Sequence, residues 1–367
     1  MIAENGEIGG ASWTVIPGPA LNQGLIDCGL NEDCPRCSAH FMLNNLNLYV
    51  FPAGAEFSYE TVLQALSRVP VRPCGPLEMS TLGFESIFGE SDDRLLMRVE
   101  NNVFCFMAAG EEKSLLNPVL RKRLAAAIQA FEVEKNRRPT KSEQEELKNR
   151  VINAMTAETM GCPFEVACMI DLDQGWLAVG ALSGTRSEAI VSAMRLALRS
   201  FPARPAMSKV APQAVLTDWL LNQKAPEPLE LGQDCDLVFP EETTRCWRGR
   251  RTELIGQEVQ THLAEGMRAS LLGLVMGDAS FSIDTTLRLR SLKVLEPDQA
   301  TNEDENVKAA EILRLARTLI SLLPFIEQHF GIERPTPVSM EDSAASAVAS
   351  NSFARMDFTY DESVADV

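Results

Sequence analysis

"NPVLRKRLAAAIQAFEVEKNRRPTKSEQEELKNRVINAM" occupies residues 117–155, and its periodicity decides how the chain folds. From Asn117, Leu120, Leu124, Ile128 and Phe131 return at helical spacing until Pro139, which has no N–H to carry the run on. "SEQE" follows, with Ser142 placed to cap a second helix and Glu145 to close a capping box. Leu147, Val151 and Met155 continue the apolar stripe. The spacing predicts a helical hairpin over 117–155. It is basic on its exposed faces, because Lys113 to Arg150 holds ten Lys/Arg against five Glu. A block of two helices between strands is not βαβ alternation, and it predicts an α+β fold.

The strands lie on both sides of that block. In "NNLNLYVF" (44–51) Leu46, Leu48 and Val50 alternate with polar or amphipathic neighbours, which predicts a half-buried strand. "NVFCFMAA" (102–109) is apolar on both faces and reads as a central strand. "VACMIDLDQGWLAVGAL" (166–182) reads as two strands turning at Asp173-Gln174-Gly175. Helices are expected over 59–68, from Thr185 as a cap through Phe201, over "VLTDWLLN" (215–222) and over 257–276. A further helix is expected over 306–330, interrupted by Pro324. Residues 202–212 read as a linker and 225–242 as an acidic irregular segment. "FSIDTTLRLR" (281–290) reads as one strand with Phe281, Ile283, Leu287 and Leu289 facing one way and Arg288 and Arg290 the other. The phase change at Lys293 predicts a bulge near Ser291.

The 367 residues carry a formal net charge of -17, 45% hydrophobic and 23% charged residues, an ordinary globular balance. No apolar stretch is long enough to span a bilayer, so no membrane association is expected. The opening residues have no signal-peptide pattern, and the nine cysteines are expected as free thiols in a reducing cytoplasm. Cys74, Cys105, Cys162, Cys168, Cys235 and Cys246 read as small packing groups. Residues 1–41 and 334–367 each sum to -4 and show no periodicity. They are read as an unstructured N-terminal extension and a disordered acidic tail around a protomer spanning 42–333.

Three constellations bear on chemistry. Three histidines, His40, His262 and His329, leave little for a histidine triad or a multi-histidine metal centre, and no phosphate loop is present. Asp92, Asp93 and Glu111-Glu112-Lys113 resemble a D…ExK arrangement, in which carboxylates hold Mg²⁺ and a lysine activates water. That pattern keeps open a metal-dependent exonuclease, or a subunit of one, using Asp93, Glu111 and Lys113. Cys28, Cys34, Cys37 and His40 have spacing compatible with zinc but lie in the unpatterned leader, so no metal or cofactor is expected. The third is "RCWRGRR" (245–251): Arg245, Arg248, Arg250 and Arg251 suit phosphate oxygens, and Trp247 offers a stacking surface. The acidic remainder keeps open another alternative, an interaction module that imitates DNA and engages partner enzymes directly.

In order, "LNNLNLYVF" (43–51), "VRPCGPLEMSTLGF" (71–84), "EEKSLLNPVLRKRL" (111–124), "LTDWL" (216–220), "RRTELIGQEVQTHLAEGMRASLLGL" (250–274) and "LRLRSLKVLE" (287–296) resemble the RdgC family. These are recombination-associated DNA-binding proteins of bacteria. The resemblance implies an elongated, curved protomer with a projecting helical hairpin, closing as a ring-shaped homodimer around duplex DNA. It implies sequence-independent binding without enzymatic activity, restraint of a RecA-type recombinase, and a nucleoid-associated place in the cytoplasm. Arg250 and Arg251 take the places of the family's basic pair, and Arg268, Arg288, Arg290 and Lys293 are further lining candidates. Lys113, Arg121 and Lys122 complete the DNA-binding set. Where the family carries "LPRAF", this chain reads "TAETM" (156–160), with Glu158 and Met160 in the arginine and phenylalanine places. Relatives begin near Met42, so residues 1–41 are expected to be an added leader or one wrongly assigned to the chain.

Overall fold

The computed structural model describes residues 44–53, 57–88, 94–181, 183–242, 244–294 and 305–335. The expected leader, most of the expected tail, Asp92 and Asp93, and Cys28, Cys34, Cys37 and His40 lie outside them. The first half of the chain runs β1 (Asn47–Val50), α1 (Tyr59–Leu66), β2 (Gly83–Glu85), β3 (Met97–Glu100), β4 (Val103–Glu112), α2 (Asn117–Lys135), α3 (Lys141–Glu158), β5 (Cys162–Asp171) and β6 (Trp176–Val179). The second half runs α4 (Gly184–Leu198), β7 (Arg204–Pro205), α5 (Pro212–Leu221), β8 (Leu229–Val238), β9 (Cys246–Gly249), α6 (Gln257–Ala264), β10 (Arg268–Met276), β11 (Ala279–Asp284), β12 (Leu289–Val294) and α7 (Glu305–Phe330). All named pairings are antiparallel and the helices stand apart from them in sequence, so the fold is α+β.

The first sheet has the order β2-β4-β5-β6-β1-β7, with β3 following β2 along the same edge of β4. β1, β4 and β6 are buried on both faces, which explains the unbroken apolar run in β4. Tyr49, Phe104, Phe106, Ile170 and Leu177 face α1 and α4. Leu48, Val50, Cys105, Met107 and Trp176 face a second core that also takes in α5, α6, α7 and the other sheet. β1, expected to be half-buried, is therefore buried at all four residues. Truncating a ring such as Phe104 or Phe106 to alanine costs on the order of 3–5 kcal/mol.

The second sheet has the order β12-β11-β10-β8-β9. Three expectations fail here. Residues 225–242 are not irregular, because β8 is a ten-residue strand. Its period breaks where Gly232, Gln233 and Asp234 bulge between Leu231 and Cys235, which hides the alternation. Residues 257–276 are not one helix: α6 ends at Ala264, Gly266 adopts φ +100°, and β10 begins. Residues 281–290 are not one strand, since Asp284 closes a turn between β11 and β12. The expected bulge is present: Ser291 and Leu292 oppose one residue of β11, and Ser291 has φ +52°.

The helix boundaries moved in ways that follow from capping. α2 stops at Asn136, whose left-handed φ of 50° ends it before Pro139. α3 is capped by Thr140 and Glu143, two residues ahead of the expected pair. The Thr140 hydroxyl accepts from the Glu143 amide, and the Glu143 carboxylate accepts from the Thr140 amide and from Arg137. Those donors hold the Glu143 carboxyl down at about 2, the Arg137 bond being the largest cause. α4 begins at Gly184 after Ser183, without the expected Thr185 cap. α7 runs through Pro324 without interruption, and the proline lies on its exposed face, where water can serve the carbonyl left without a partner. α2 and α3 pack along each other, and α2 buries none of its side chains fully.

The cap position is testable. Thr140→Ala should cost about 1 kcal/mol in urea denaturation, whereas Ser142→Ala should stay within about 0.5 kcal/mol of the parent. The reverse order would restore the Ser142 cap.

Candidate nucleic-acid interface

The arginine-rich stretch forms β9 and the turn after it, at one edge of the second sheet. β9 pairs with β8, so Trp247 stands opposite Leu237 and Arg248 opposite Asp236. Successive residues point to opposite faces of a sheet. Trp247 therefore turns toward the core, and its ring lies 5.2 Å from that of His262. Its indole N–H donates to Glu258 at 3.2 Å. The expected stacking surface faces inward.

The register extends across the sheet and separates two faces. Cys235, Leu237, Ala269, Leu272, Phe281, Ile283 and Leu289 belong to the core. The opposite face carries Arg248, Asp236, Leu271 and Asp284 as one row, with Arg268 opposite Val238, Arg290 opposite Ser282 and Lys293 opposite Ser280. Arg248, Arg268, Arg290 and Lys293 thus share the face turned away from the core. β9 and β12 are the two edges, separated by four strand spacings, or about 19 Å.

Two carboxylates organise these cations. Asp236 accepts from the Arg250 guanidinium at 2.5 Å and lies 4.0 Å from that of Arg248. Arg250 also donates to the carbonyls of Cys235 and Gly249. Asp284, only 6% exposed, accepts from the amides of Thr286 and Arg288 and the hydroxyl of Thr286. Its second oxygen accepts two bonds from Arg290 at 3.0 and 2.7 Å. Sequence reading missed both acids. Asp236 was hidden when 225–242 read as irregular, although Cys235-Asp236-Leu237 shows the alternation once a strand is allowed. Asp284 gave a clearer signal, since an aspartate followed by two threonines is turn chemistry.

The other expected residues are more dispersed. Arg245 precedes β9, with its guanidinium 4.6 Å from the centre of the Phe239 ring and 3.8 Å from Glu242. Arg251 has φ +52° and its amide donates to Asp234. Its side chain lines a cleft of about 400 Å³ with Leu231, Thr252 and Leu254. Arg288 does not project from a strand beside Arg290. It lies in the turn, and its guanidinium packs against Gly184 at the start of α4, where a Cβ would be 2.9 Å away. Arg121 and Lys122 are exposed on α2.

Lys113 leaves the set. It is buried, and its ammonium donates to the carbonyls of Gly75, Pro76 and Thr156 at 3.0, 3.2 and 3.0 Å. All three of its hydrogens are used, so it can neither reach a phosphate nor activate a water. Glu111 accepts from the Cys74 amide and Glu112 pairs with Arg186, so the ExK residues have structural partners. Gly110 lets the preceding loop close on β4, because a Cβ there would lie 2.0 Å from the Thr81 carbonyl oxygen. Glu158 pairs with Arg123 at 2.7 Å and Met160 is 73% exposed. Cys105, Cys168 and Cys235 are buried, and burial pushes the Cys105 and Cys235 thiols up to about 12. Cys74 and Cys162 are half-buried and Cys246 is exposed. Among the described residues no group of three or more His, Cys, Asp or Glu is placed to hold a metal, and no helix is long and apolar enough to cross a membrane.

Gly249 keeps Trp247 in place, since a Cβ there would fall 2.5 Å from the indole Cη2. Gly249→Ala should swing the indole off His262. The expected result is red-shifted, more quenchable tryptophan emission, compared against Trp247→Phe, with a loss of about 1–3 kcal/mol in stability. Unchanged emission would mean that the indole is not held there.

A family model described as "Putative exonuclease, RdgC" matches residues 41–330. The "Recombination-associated protein RdgC" of Xanthomonas oryzae pv. oryzae (strain PXO99A) is 33% identical over 271 residues, covering 73% of this chain and 89% of that protein. The protein of the same name from Xanthomonas axonopodis pv. citri (strain 306) matches with the same identity and coverage. The one from Pseudomonas putida (strain GB-1) is 29% identical over 296 residues, covering 79% of this chain and 97% of its own length. With its span, both sheets and the intervening helices matched, the chain belongs to the RdgC family of recombination-associated proteins.

Proposed function

We propose that this protein binds duplex DNA without reading its sequence, through the outward face of the five-stranded sheet. The observation that carries the reading is the register, which gathers Arg248, Arg268, Arg290 and Lys293 on the one face that the core does not use. Arg250 joins them through Asp236. A span of about 19 Å matches roughly five base pairs of duplex at about 3.4 Å each, enough for several phosphate contacts. The cations are already paired with carboxylates, but such partly exposed pairs are worth little, and phosphates can replace the carboxylates as acceptors. The contacts are to backbone oxygens, so affinity comes from counterion release rather than base recognition.

The family resemblance supplies the rest of the proposal. Two protomers close as a homodimeric ring around the duplex, α2 and α3 project from each as a helical hairpin, and the sheet face lines the passage. Occupying DNA in this way restrains a RecA-type recombinase and places the protein on the nucleoid. The description "Putative exonuclease" supports a second reading, in which the protein hydrolyses DNA. The bonds made by Lys113, Glu111 and Glu112 weigh against the ExK site as its centre.

The decisive measurement is duplex binding titrated with salt. Among the described residues neither Arg268 nor Lys293 is in an ion pair, so Arg268→Gln with Lys293→Gln removes two cations without stranding a carboxylate. The variant should weaken binding to all sequences alike and reduce the slope of log K against log salt by about 1–2. An unchanged slope would remove the sheet face from the interface. Mg²⁺-dependent release of nucleotides by the parent chain would favour the second reading.

A further inference from the structure

We propose that the chain's own C-terminal segment, residues 353–362, docks on an exposed apolar surface at the start of α2. Three large side chains stand in solvent there: Leu77 is 64% exposed, Leu116 65% and Met160 73%. Lys113 ties together the backbone near all three. Lys113 grips the carbonyls of Gly75 and Pro76, immediately before Leu77, and that of Thr156, four residues before Met160. Leu116 follows three residues after Lys113 as the N-cap of α2. Arg72 holds both carboxylate oxygens of Glu78, which also accepts from the Gly75 amide, so the Leu77 loop is closed.

The charge around this surface selects the occupant. Glu78 beside Leu77 and Glu158 near Met160 are paired with Arg72 and Arg123, the first turn of α2 has no acidic residue, and Arg121 and Lys122, exposed in the next, are the cations left over. A fitting partner is therefore apolar and acidic. Residues 353–362 read "FARMDFTYDE": Phe353, Met356, Phe358 and Tyr360 stand among Asp357, Asp361 and Glu362, with Arg355 the single cation.

The segment can also reach. Arg334 pairs with Glu327 of α7 and donates to the carbonyl of Gln174, which holds the chain at the β5–β6 turn. From that turn β5 runs back to Cys162 beside the end of α3, about 30 Å at roughly 3.3 Å per residue. The stretch from Arg334 to Phe353 can extend to about 60 Å. Docking there would set carboxylates beside Arg121 and Lys122 and oppose phosphate at those two cations. This last consequence rests on the DNA reading; the docking itself does not.

The test uses the full-length chain with photoreactive p-benzoylphenylalanine in place of Phe358, as a mixture of nitrogen-15-labelled and unlabelled molecules. Irradiation should give crosslinks to residues 72–80, 114–123 or 158–161 within chains of one isotope. They should fall roughly fivefold or more in Leu116→Glu with Met160→Glu, which removes two apolar contacts and adds like charge. Crosslinks to other surfaces, mixed-isotope pairs, absence of crosslinks, or no fall in the variant would each overturn the docking. If the crosslinks form as expected while no form of the chain binds duplex, the DNA reading fails and the docking stands.

Discussion

Leu46 and Leu289 exchange backbone hydrogen bonds, the Leu46 amide donating at 2.8 Å and the Leu289 amide at 3.1 Å, and Leu292 donates to Asn44 at 2.9 Å. This seam joins the start of β1 to β12, and so joins the two sheets. With the seam in place, the apolar face of the second sheet shares one core with the first sheet and α7. α5 and α6 pack into the same core. The polar face of the second sheet is consequently left outward, and every cation placed at an alternate position of β8, β9, β10, β11 or β12 is sorted by it. Period two sorts Arg248, Arg268 and Arg290 to that face, and the bulge at Ser291 and Leu292 brings Lys293 back to it.

How much of this was legible depended on whether one period ran unbroken. The apolar runs 103–109 of β4 and 166–170 of β5 could be read directly, since such runs have few alternatives in a chain with turn signals nearby, whereas the ends at Gly110–Glu112 and Cys162–Glu165 could not. β8 could not, because its bulge shifts the phase in mid-strand and its outward positions are acidic. "RASLLGLVM" fits a buried strand or a buried helix equally well, and only Gly266 before it marks the change. For the site, the clustering of arginines was visible in sequence but their sorting was not. Arg288 and Arg290 are two residues apart, yet Asp284 turns the chain between β11 and β12, so one guanidinium faces α4 and the other the outward face. Lys113 looked like an exposed cation because nothing local announces three carbonyls arriving from residues 75, 76 and 156.

A net charge of -17 is no obstacle to binding a polyanion when the acids near the cations are part of the same geometry. Asp236 and Asp284 hold their arginines extended and oriented before any ligand arrives, which lowers the entropy to be lost on binding. The cost is competition, because a phosphate must displace or share the carboxylate. Asp284 is buried and bonded to two amides, so it stays in place; Asp236 is more accessible to water and its two arginines can turn away. The edge at β9 is therefore the adaptable side of the face and the edge at β12 the fixed one. A surface built this way favours a ligand that presents many acceptors over one that presents a single strong acceptor.

The base of α2 and α3 follows a different logic. Where the resemblance expects an arginine, Glu158 sits and neutralises Arg123; where it expects an aromatic ring, Met160 stands in solvent. The first change lowers the local affinity for phosphate, and the second offers a soft apolar contact. Lys113 offers no hydrogen to a phosphate there, because its ammonium is spent on three carbonyls that fix the backbone around it. The molecule thus separates two kinds of surface, a sheet face where cations are held by carboxylates, and a helix base where backbone carrying exposed apolar side chains is held by a buried cation. The first needs charge and tolerates variation in shape. The second needs shape, and a single lysine with no hydrogen to spare provides it.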